Sequence, residues 1–264
     1  MTDATHTRPR SVRQPPGARD MAGVKALVTG GTSGIGLATA RALAGRGAEV
    51  AVTGRDVQRG RQVARAIAGT GGVADFIAAE LHGESSARRL AQAAVARFGR
   101  IDVLVNNAGV FPSGPTERTT EADFDAVFGL NVRAPYFLVA ELAPAMARRG
   151  HGAIVNVTTA AAAYGAAGLG LYGASKAALV LLTKAWAAEY GPHGVRVNAV
   201  GPGPTRTEGT APRGAALDRA ALAGPARRPG TAEEIADAIV FLASDRSSFV
   251  HGAILPVDGG RVAV

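Results

Sequence analysis

Short β-branched runs alternate with longer segments rich in Ala, Arg and Leu along this 264-residue chain. Seven runs read as strands: Lys25 to Gly30, Ala48 to Gly54, Ala74 to Ala79, Ile101 to Asn107, Gly152 to Thr158, Gly194 to Val200 and Ala253 to Val257. Their apolar stretches are nearly continuous, the pattern of strands covered on both faces. Between them lie helix-length segments such as GLATARALAGRG, SSARRLAQAAVARF and AEEIADAIVFLAS. This alternation predicts an α/β fold, a single doubly wound parallel sheet of about seven strands flanked by helices. Ligands of such sheets sit beyond the carboxyl ends of the strands, and every candidate motif below falls at one of those ends.

The first run leads straight into TGGTSGIG (Thr29 to Gly36), followed by an amphipathic segment. Glycines there let backbone amides approach a pyrophosphate, which rests on the positive end of the next helix. Glycines also serve ordinary turns, so the placement after a strand and before a helix is what points to a dinucleotide. The fold is thus expected to be Rossmann-type, with 23–264 as one nucleotide-binding catalytic domain. The Pro-, Arg- and Thr-rich residues 1–22 read as a flexible tail, with ordered structure beginning near Val24.

Charge and composition narrow the partners. The formal charge is +8, of which the first 20 residues carry +2. The remaining cations are spread over several helices without a stripe or interleaved aromatics, so no nucleic-acid partner is expected. The opening stretch lacks an apolar core, so neither a signal peptide nor a membrane span is expected there, and no membrane partner. With no cysteine, and with His6, His82, His151, His193 and His251 scattered, no metal centre is expected. The lack of cysteine fits a reducing compartment, and a cytoplasmic location is the expectation.

LYGASKAAL (Leu171 to Leu179) places a phenol and an ammonium among small and apolar residues. On a helix, Tyr172 and Lys176 project from one face. They are either an ordinary surface pair or a phenol whose proton is tuned by the amine. A free phenol has a pKa near ~10, and a nearby cation favours the phenolate.

Gly30, Gly34 and Gly36 follow a TGxxxGxG pattern, and NNAG (Asn106 to Gly109), YxxxK (Tyr172 and Lys176), NAVGPGPTRT (Asn198 to Thr207) and PVDGG (Pro256 to Gly260) follow in order. From about Val24 to Gly260 the chain resembles the short-chain dehydrogenase/reductase family, in particular its 3-oxoacyl-ACP-reductase-like subgroup. The resemblance implies a nicotinamide cofactor and a small-molecule carbonyl or alcohol substrate. It makes Tyr172 the general acid/base, and Lys176 a tuner of the phenol and a ligand of the nicotinamide ribose. Thr159 stands where the family has a serine; its hydroxyl still donates one hydrogen bond, although two threonines could simply end a strand. Asn131 would bend a helix and hold a water near the lysine, the plainer alternative being a buried amide capping the backbone around Pro135.

The cofactor-binding residues implied are Gly30, Thr32, Ser33, Gly34, Ile35 and Gly36 in the first loop, with Arg55, Glu80 and Leu81 near the adenosine. Asn107, Ala108 and Gly109 would border its ribose, while Pro202, Gly203, Thr205 and Thr207 would hold the carboxamide. The acidic side chain that would accept from both ribose hydroxyls is missing at Gly54, and Arg55 follows, able to clamp a 2′-phosphate. NADP(H) is therefore favoured, with NAD(H) as the alternative, unless Arg55 merely caps a turn in solvent.

The segment 208–228 reads as a small lid, with Leu217 and Leu222 available to cover an apolar ketone opposite Tyr164. No charged cluster marks a substrate head group. The family's usual assembly implies a homo-oligomer, tetramer or dimer, built on helices around 122–149 and 172–190; Trp186 would anchor an interface or a core. The activity expected is ketone reduction, reversible as secondary-alcohol oxidation. A 3-oxoacyl-ACP reductase and a sugar or polyol dehydrogenase are the enzymatic alternatives, and a non-catalytic dinucleotide-binding regulator is the alternative of another class.

Overall fold

The computed structural model describes residues 19–264. Most of the expected tail lies outside the described residues. Its last residues, however, belong to the fold. Met21 is 2% exposed, its N–H donates to Arg46 O at 3.1 Å, and Asp20 pairs with Arg46 at 2.9 Å. Packing therefore starts before Val24.

The strands and helices alternate as β1 (Lys25–Val28), α1 (Gly34–Gly45), β2 (Glu49–Gly54), α2 (Val57–Gly69), β3 (Val73–Ala78), α3 (Glu84–Phe98) and β4 (Val103–Asn106). They continue with α4 (Glu121–Phe128), α5 (Ala134–Arg149), β5 (Gly152–Val157), α6 (Gly170–Tyr190), β6 (Val195–Pro202), β7 (Thr205–Arg206), α7 (Ala215–Ala221), β8 (Gly230–Thr231), α8 (Ala232–Ala243) and β9 (Ile254–Val257). Seven strands form one parallel sheet in the order β3-β2-β1-β4-β5-β6-β9, and β7 and β8 make a separate two-residue ladder. The order reverses between β1 and β4, so the chain leaves those two strands in opposite directions and opens a crevice at their carboxyl ends.

Alternate strand residues feed two cores, as the pleat requires. Ala26, Val28, Val50, Val52, Val103 and Val105 pack with α1, α2 and α8. Leu27, Ala51, Leu104 and Ile154 pack with α3, α5 and α6, and Trp186 is buried there at 5% exposure, a core residue. Because both faces are covered, the strands carry almost no polar residues except where these are paired. Asn106 Nδ2 donates to Asn156 Oδ1 and Asn156 Nδ2 to Thr183 Oγ1, each at 2.9 Å, which ties α6 to the middle of the sheet. That tie positions the face of α6 carrying Tyr172 and Lys176.

α4 and α5 run as one helix interrupted by a π-helical turn at Gly129–Arg133. Among the described residues this stretch, Glu121–Arg149, is long and apolar enough to cross a membrane, with mean hydropathy 1.2. Half of its most apolar window is buried inside the fold, and α5 packs on α3 as a core helix.

Candidate functional site

A cleft of about 580 Å³ opens at the carboxyl ends of the strands, at the switch between β1 and β4. Of the residues expected in the site, Gly30, Thr32, Ser33, Gly34, Ile35, Arg55, Glu80, Leu81, Asn107, Ala108, Gly109, Thr159, Tyr172, Lys176, Pro202, Gly203, Thr205 and Thr207 line it. Gly36 and Asn131 do not. Each of those two acts one layer behind the wall.

Gly30 and Gly34 have φ of +62° and +49°, which side chains with a Cβ adopt only with strain. At Gly36 a Cβ would overlap the carbonyl oxygen of Gly30 and the side-chain amide of Asn107. Gly36 is thus what allows α1 to start against the loop. Ser33, the N-cap of α1, makes no side-chain cap bond, leaving the first-turn N–H groups available to an anion. Thr29, 1% exposed, knits the floor: its hydroxyl donates to Val105 O at 3.2 Å and accepts from the N–H groups of Asn107 and Ala108 at 2.9 and 3.0 Å. Asn107 Nδ2 in turn donates to Thr29 O at 2.9 Å.

At the far end of β2, Thr32 fills the space a side chain at Gly54 would need: a Cβ there would meet Thr32 Cγ2 at 2.8 Å. Arg55 is exposed, and among the described residues it makes no ion pair. Asp56 caps α2 by accepting from Arg59 N at 2.9 Å, so the turn needs nothing from Arg55. Glu80 and Leu81 stand on the same rim. Behind the opposite wall, a Cβ on Gly203 would meet Asp258 Cα at 2.6 Å, so the PVDGG segment presses directly on the loop bearing Pro202 and Thr205. Thr205 donates to Gly203 O at 2.9 Å, and Thr207 Oγ1 lies 3.1 Å from Thr210 Oγ1.

Lys176 is 4% exposed, and its ammonium donates to Val157 O at 2.8 Å. Burial pulls its pKa down to about 8. An ammonium has three protons to donate, and the carbonyl takes one, so the buried group is shaped for further oxygen acceptors such as ribose hydroxyls. Tyr172 sits on the same face of α6. In the free protein burial pushes its pKa up, against the smaller lowering effects of a hydrogen bond with Thr159 and of the Arg213 charge. In the dinucleotide-free protein the amine is thus engaged with Val157, and Tyr172 is a neutral acid near neutral pH.

The two threonines after β5 divide the roles left open by their sequence. Thr158, 2% exposed, donates its hydroxyl to Val200 O at 2.9 Å and ends the strand. Thr159 Oγ1 accepts from Ala161 N at 3.3 Å, which leaves its proton free for Tyr172 or for a ligand oxygen. A phenol and an alcohol therefore meet at one point of the cleft, where they can polarise and protonate a carbonyl oxygen.

Asn131 lies in the π-helical turn and is fully buried. Its Oδ1 accepts from Val110 N at 3.0 Å, and its Nδ2 donates to Val110 O at 2.9 Å and to Ser175 Oγ at 3.0 Å. Ser175 donates to Tyr172 O at 2.7 Å. Asn131 thus anchors the loop after β4 and the first turns of α6, a positioning residue and not a group in the cleft. The plainer capping role around Pro135 is not the one seen; the partners lie 21 and 44 residues away.

The segment 208–228 contributes Thr210, Arg213 and the buried Leu217 to the wall, whereas Leu222 is 48% exposed and lies outside it. Tyr164 lines the cleft beneath the Arg261 guanidinium, 4.3 Å from its ring centroid. Phe111 and Arg213 carry no sequence signal of their own. Phe111 follows NNAG directly, and Arg213 is one of many arginines.

Residues 30–261 match a family model described as enoyl-(acyl carrier protein) reductase. Cis-4-hydroxycyclohexanecarboxylate dehydrogenase of Sinomonas cyclohexanicum is 42% identical over 242 residues, 90% of this chain and 96% of its own length. A solved short chain dehydrogenase/reductase family protein is 51% identical, with a TM-score of 0.86 over 93% of this chain and all of its own. A short chain dehydrogenase from Burkholderia cenocepacia J2315, solved in complex with NADP, is 35% identical with a TM-score of 0.86 over 92% of this chain and 99% of its own. Matches of this extent at these identities leave one assignment: the chain belongs to the short-chain dehydrogenase/reductase family, oxidoreductases that interconvert CH–OH and C=O groups with a nicotinamide dinucleotide.

Proposed function

We propose that the protein is an NADP(H)-dependent carbonyl reductase, reversible as a secondary-alcohol dehydrogenase, with Tyr172 as its general acid/base. The observation that carries this reading is the convergence of Tyr172 and Thr159 beside the buried, incompletely bonded Lys176 ammonium. The bound dinucleotide supplies hydride exchange with the substrate carbon. Thr159 orients the carbonyl oxygen, Tyr172 protonates it, and Lys176 holds the ribose and, as a cation, stabilises the phenolate left behind. Asn131 keeps Val110 and α6 in register around that point. In the oxidative direction the same proton returns to Tyr172.

The residues fit the dinucleotide: open N–H groups at the start of α1, a glycine floor without room for a Cβ, and a buried amine short of acceptors. The preference for NADP(H) rests on Thr32 occupying the space beside Gly54 and on the unpaired Arg55 at the rim. A regulator without turnover would use Lys176 for the ribose but would have no need of the Tyr172 phenol and the Thr159 hydroxyl at one point of the cleft. NADPH oxidation measured against a broad ketone panel tests the proposal. Turnover that Tyr172→Phe reduces by about a hundredfold or more is expected; dinucleotide binding with no turnover of any ketone overturns it.

A further inference from the structure

The segment 208–228 brings one charge into the cleft that the proposed reaction does not use. Arg213 ends a short 3-10 turn at Ala211–Arg213 and lines the cleft. Its Cζ stands 5.3 Å from the centroid of the Phe111 ring. That ring meets Tyr172 edge-on, with centroids 6.4 Å apart. Guanidinium, aromatic surface and acid/base phenol therefore follow one another along one wall.

Among the described residues, three nearby arginines are matched to carboxylates, whereas Arg219 and Arg227, which do not line the cleft, are not. Arg206 pairs with Asp218 at 2.5 Å, Arg228 with Glu234 at 2.6 Å, and Arg59 with Glu208 at 3.3 Å. Among the described residues Arg213 has no such partner. Its one polar contact is the carbonyl oxygen of Phe111 at 3.5 Å, at the limit of a hydrogen bond. Apart from Lys176, the wall around Tyr172 is apolar or hydroxylic, with Ala160, Ala161, Leu169 and Leu217, and the carboxylate among the described lining residues, Glu80, stands at the rim beside Arg55. A planar guanidinium over an aromatic face offers paired donors to one planar anion, a carboxylate. Its charge also reaches the phenol, where it favours the ionised form.

We infer that the substrate is a compact oxo acid, or the matching hydroxy acid in the reverse direction. Its carboxylate pairs with Arg213, its carbon skeleton lies over Phe111, and its carbonyl reaches Thr159 and Tyr172. The carboxylate takes no part in the bond changes: the carbonyl carbon gains hydride from the dinucleotide and its oxygen gains the Tyr172 proton. This inference rests on the carbonyl-reductase reading for its chemistry, but the recognition by Arg213 can be measured without turnover.

Two measurements are made on the full chain saturated with NADP+ or NADPH. Calorimetric titration compares cyclohexanecarboxylate with cyclohexanecarboxamide, a pair of the same shape that differs in charge. NADPH oxidation compares 4-oxocyclohexanecarboxylate with its methyl ester. The acid member of each pair is expected to be favoured by about tenfold or more, in Kd and in KM, the scale of a charge-assisted bidentate contact. Arg213→Gln should bring both ratios close to one, and Arg213→Lys should restore part of the preference, since lysine keeps the charge without the planar fork. Equal binding of carboxylate and carboxamide by the unaltered protein, or a preference that survives Arg213→Gln, overturns the inference. Carboxylate-selective binding without turnover of these two ketones or of any ketone of the broad panel upholds the role of Arg213 and overturns the reductase reading instead. Turnover of acid and ester with the same KM does the reverse.

Discussion

Burial acts on Lys176 and Tyr172 in one sense, pushing each toward its neutral form, and this sets the behaviour of both. With a folded pKa of about 8 against 10.5 in the free side chain, Lys176 binds fewer protons in the native state than in the unfolded chain between those values. Its destabilising contribution is therefore complete below pH 8 and fades as the pH rises from 8 to 10.5. Lys176→Met is expected to melt at or above the wild-type temperature at pH 7, with the difference shrinking by pH 10, in scanning calorimetry. Its kcat/KM should nevertheless fall by about a hundredfold or more, because the ribose contact and the cation beside the phenolate are both gone. For Tyr172, whose pKa is raised above 10, the phenolate absorbance lost in Tyr172→Phe should titrate above pH 10 in the dinucleotide-free protein. Thr159→Ala is expected to lower kcat for ketone reduction by about a hundredfold, the cost of one donor to a developing oxyanion, and Thr159→Ser to recover most of it. Tyr172, Lys176 and Thr159 were all legible in the sequence through spacing and resemblance. What Thr158 does was not visible, because its hydroxyl bond depends on Val200 O lying opposite across the sheet.

At the scale of elements, α1 depends on close backbone approach more than on propensity. Gly36→Ala places a methyl group where the Gly30 carbonyl and Asn107 already are. A loss of about 1–3 kcal/mol in denaturant unfolding is expected, with dinucleotide affinity falling alongside. The seven strands of the main sheet were legible because their apolar stretches are nearly continuous, with few polar interruptions such as Arg196 and Asn198 in β6, and their ends moved by only a residue or two. The ladder of β7 and β8 was not, since two residues carry no periodicity; it exists because Gly230 N bonds to Pro204 O beside it. A helix bend at Asn131 was implied by the resemblance, but its π-helical form was hidden. It follows from Asn131 reaching Val110 and Ser175, partners far away along the chain. Residues 19–22 were assigned to the tail with the Pro-, Arg- and Thr-rich stretch before them, yet the burial of Met21 and the bonds of Met21 and Asp20 to Arg46 hold them to the fold.

At the scale of the whole molecule, cofactor binding links the lobes on either side of the switch point, since one ligand must touch the β1 loop, the β2 rim, α6 and the β6 loop. Saturating NADPH should therefore stabilise the entire fold, by about 2.7 kcal/mol at a hundred times Kd, and raise the melting temperature more than NADH at equal concentration. Arg55→Asp should remove that difference; an unchanged NADPH advantage would show that Arg55 does not read the 2′-phosphate. The exposed apolar side chains Phe124, Tyr136 and Leu181, at 49%, 46% and 68%, lie on α4, α5 and α6. We propose that these helices form the interface of a homo-oligomer. Light scattering after size exclusion should find a dimer or tetramer, and Leu181→Arg should shift it toward the monomer.

The order of hydrophobic runs determined by itself the sheet, its parallel sense and the place of the nucleotide loop, because apolar periodicity and glycine placement act over a few neighbouring residues. The positions of Arg213 over Phe111, of Lys176 against Val157 and of Asn131 behind the wall were decided only by the folded chain. Each joins segments remote in sequence, and the physical forces concerned, desolvation and the matching of donors to acceptors, are set by what surrounds a group in space.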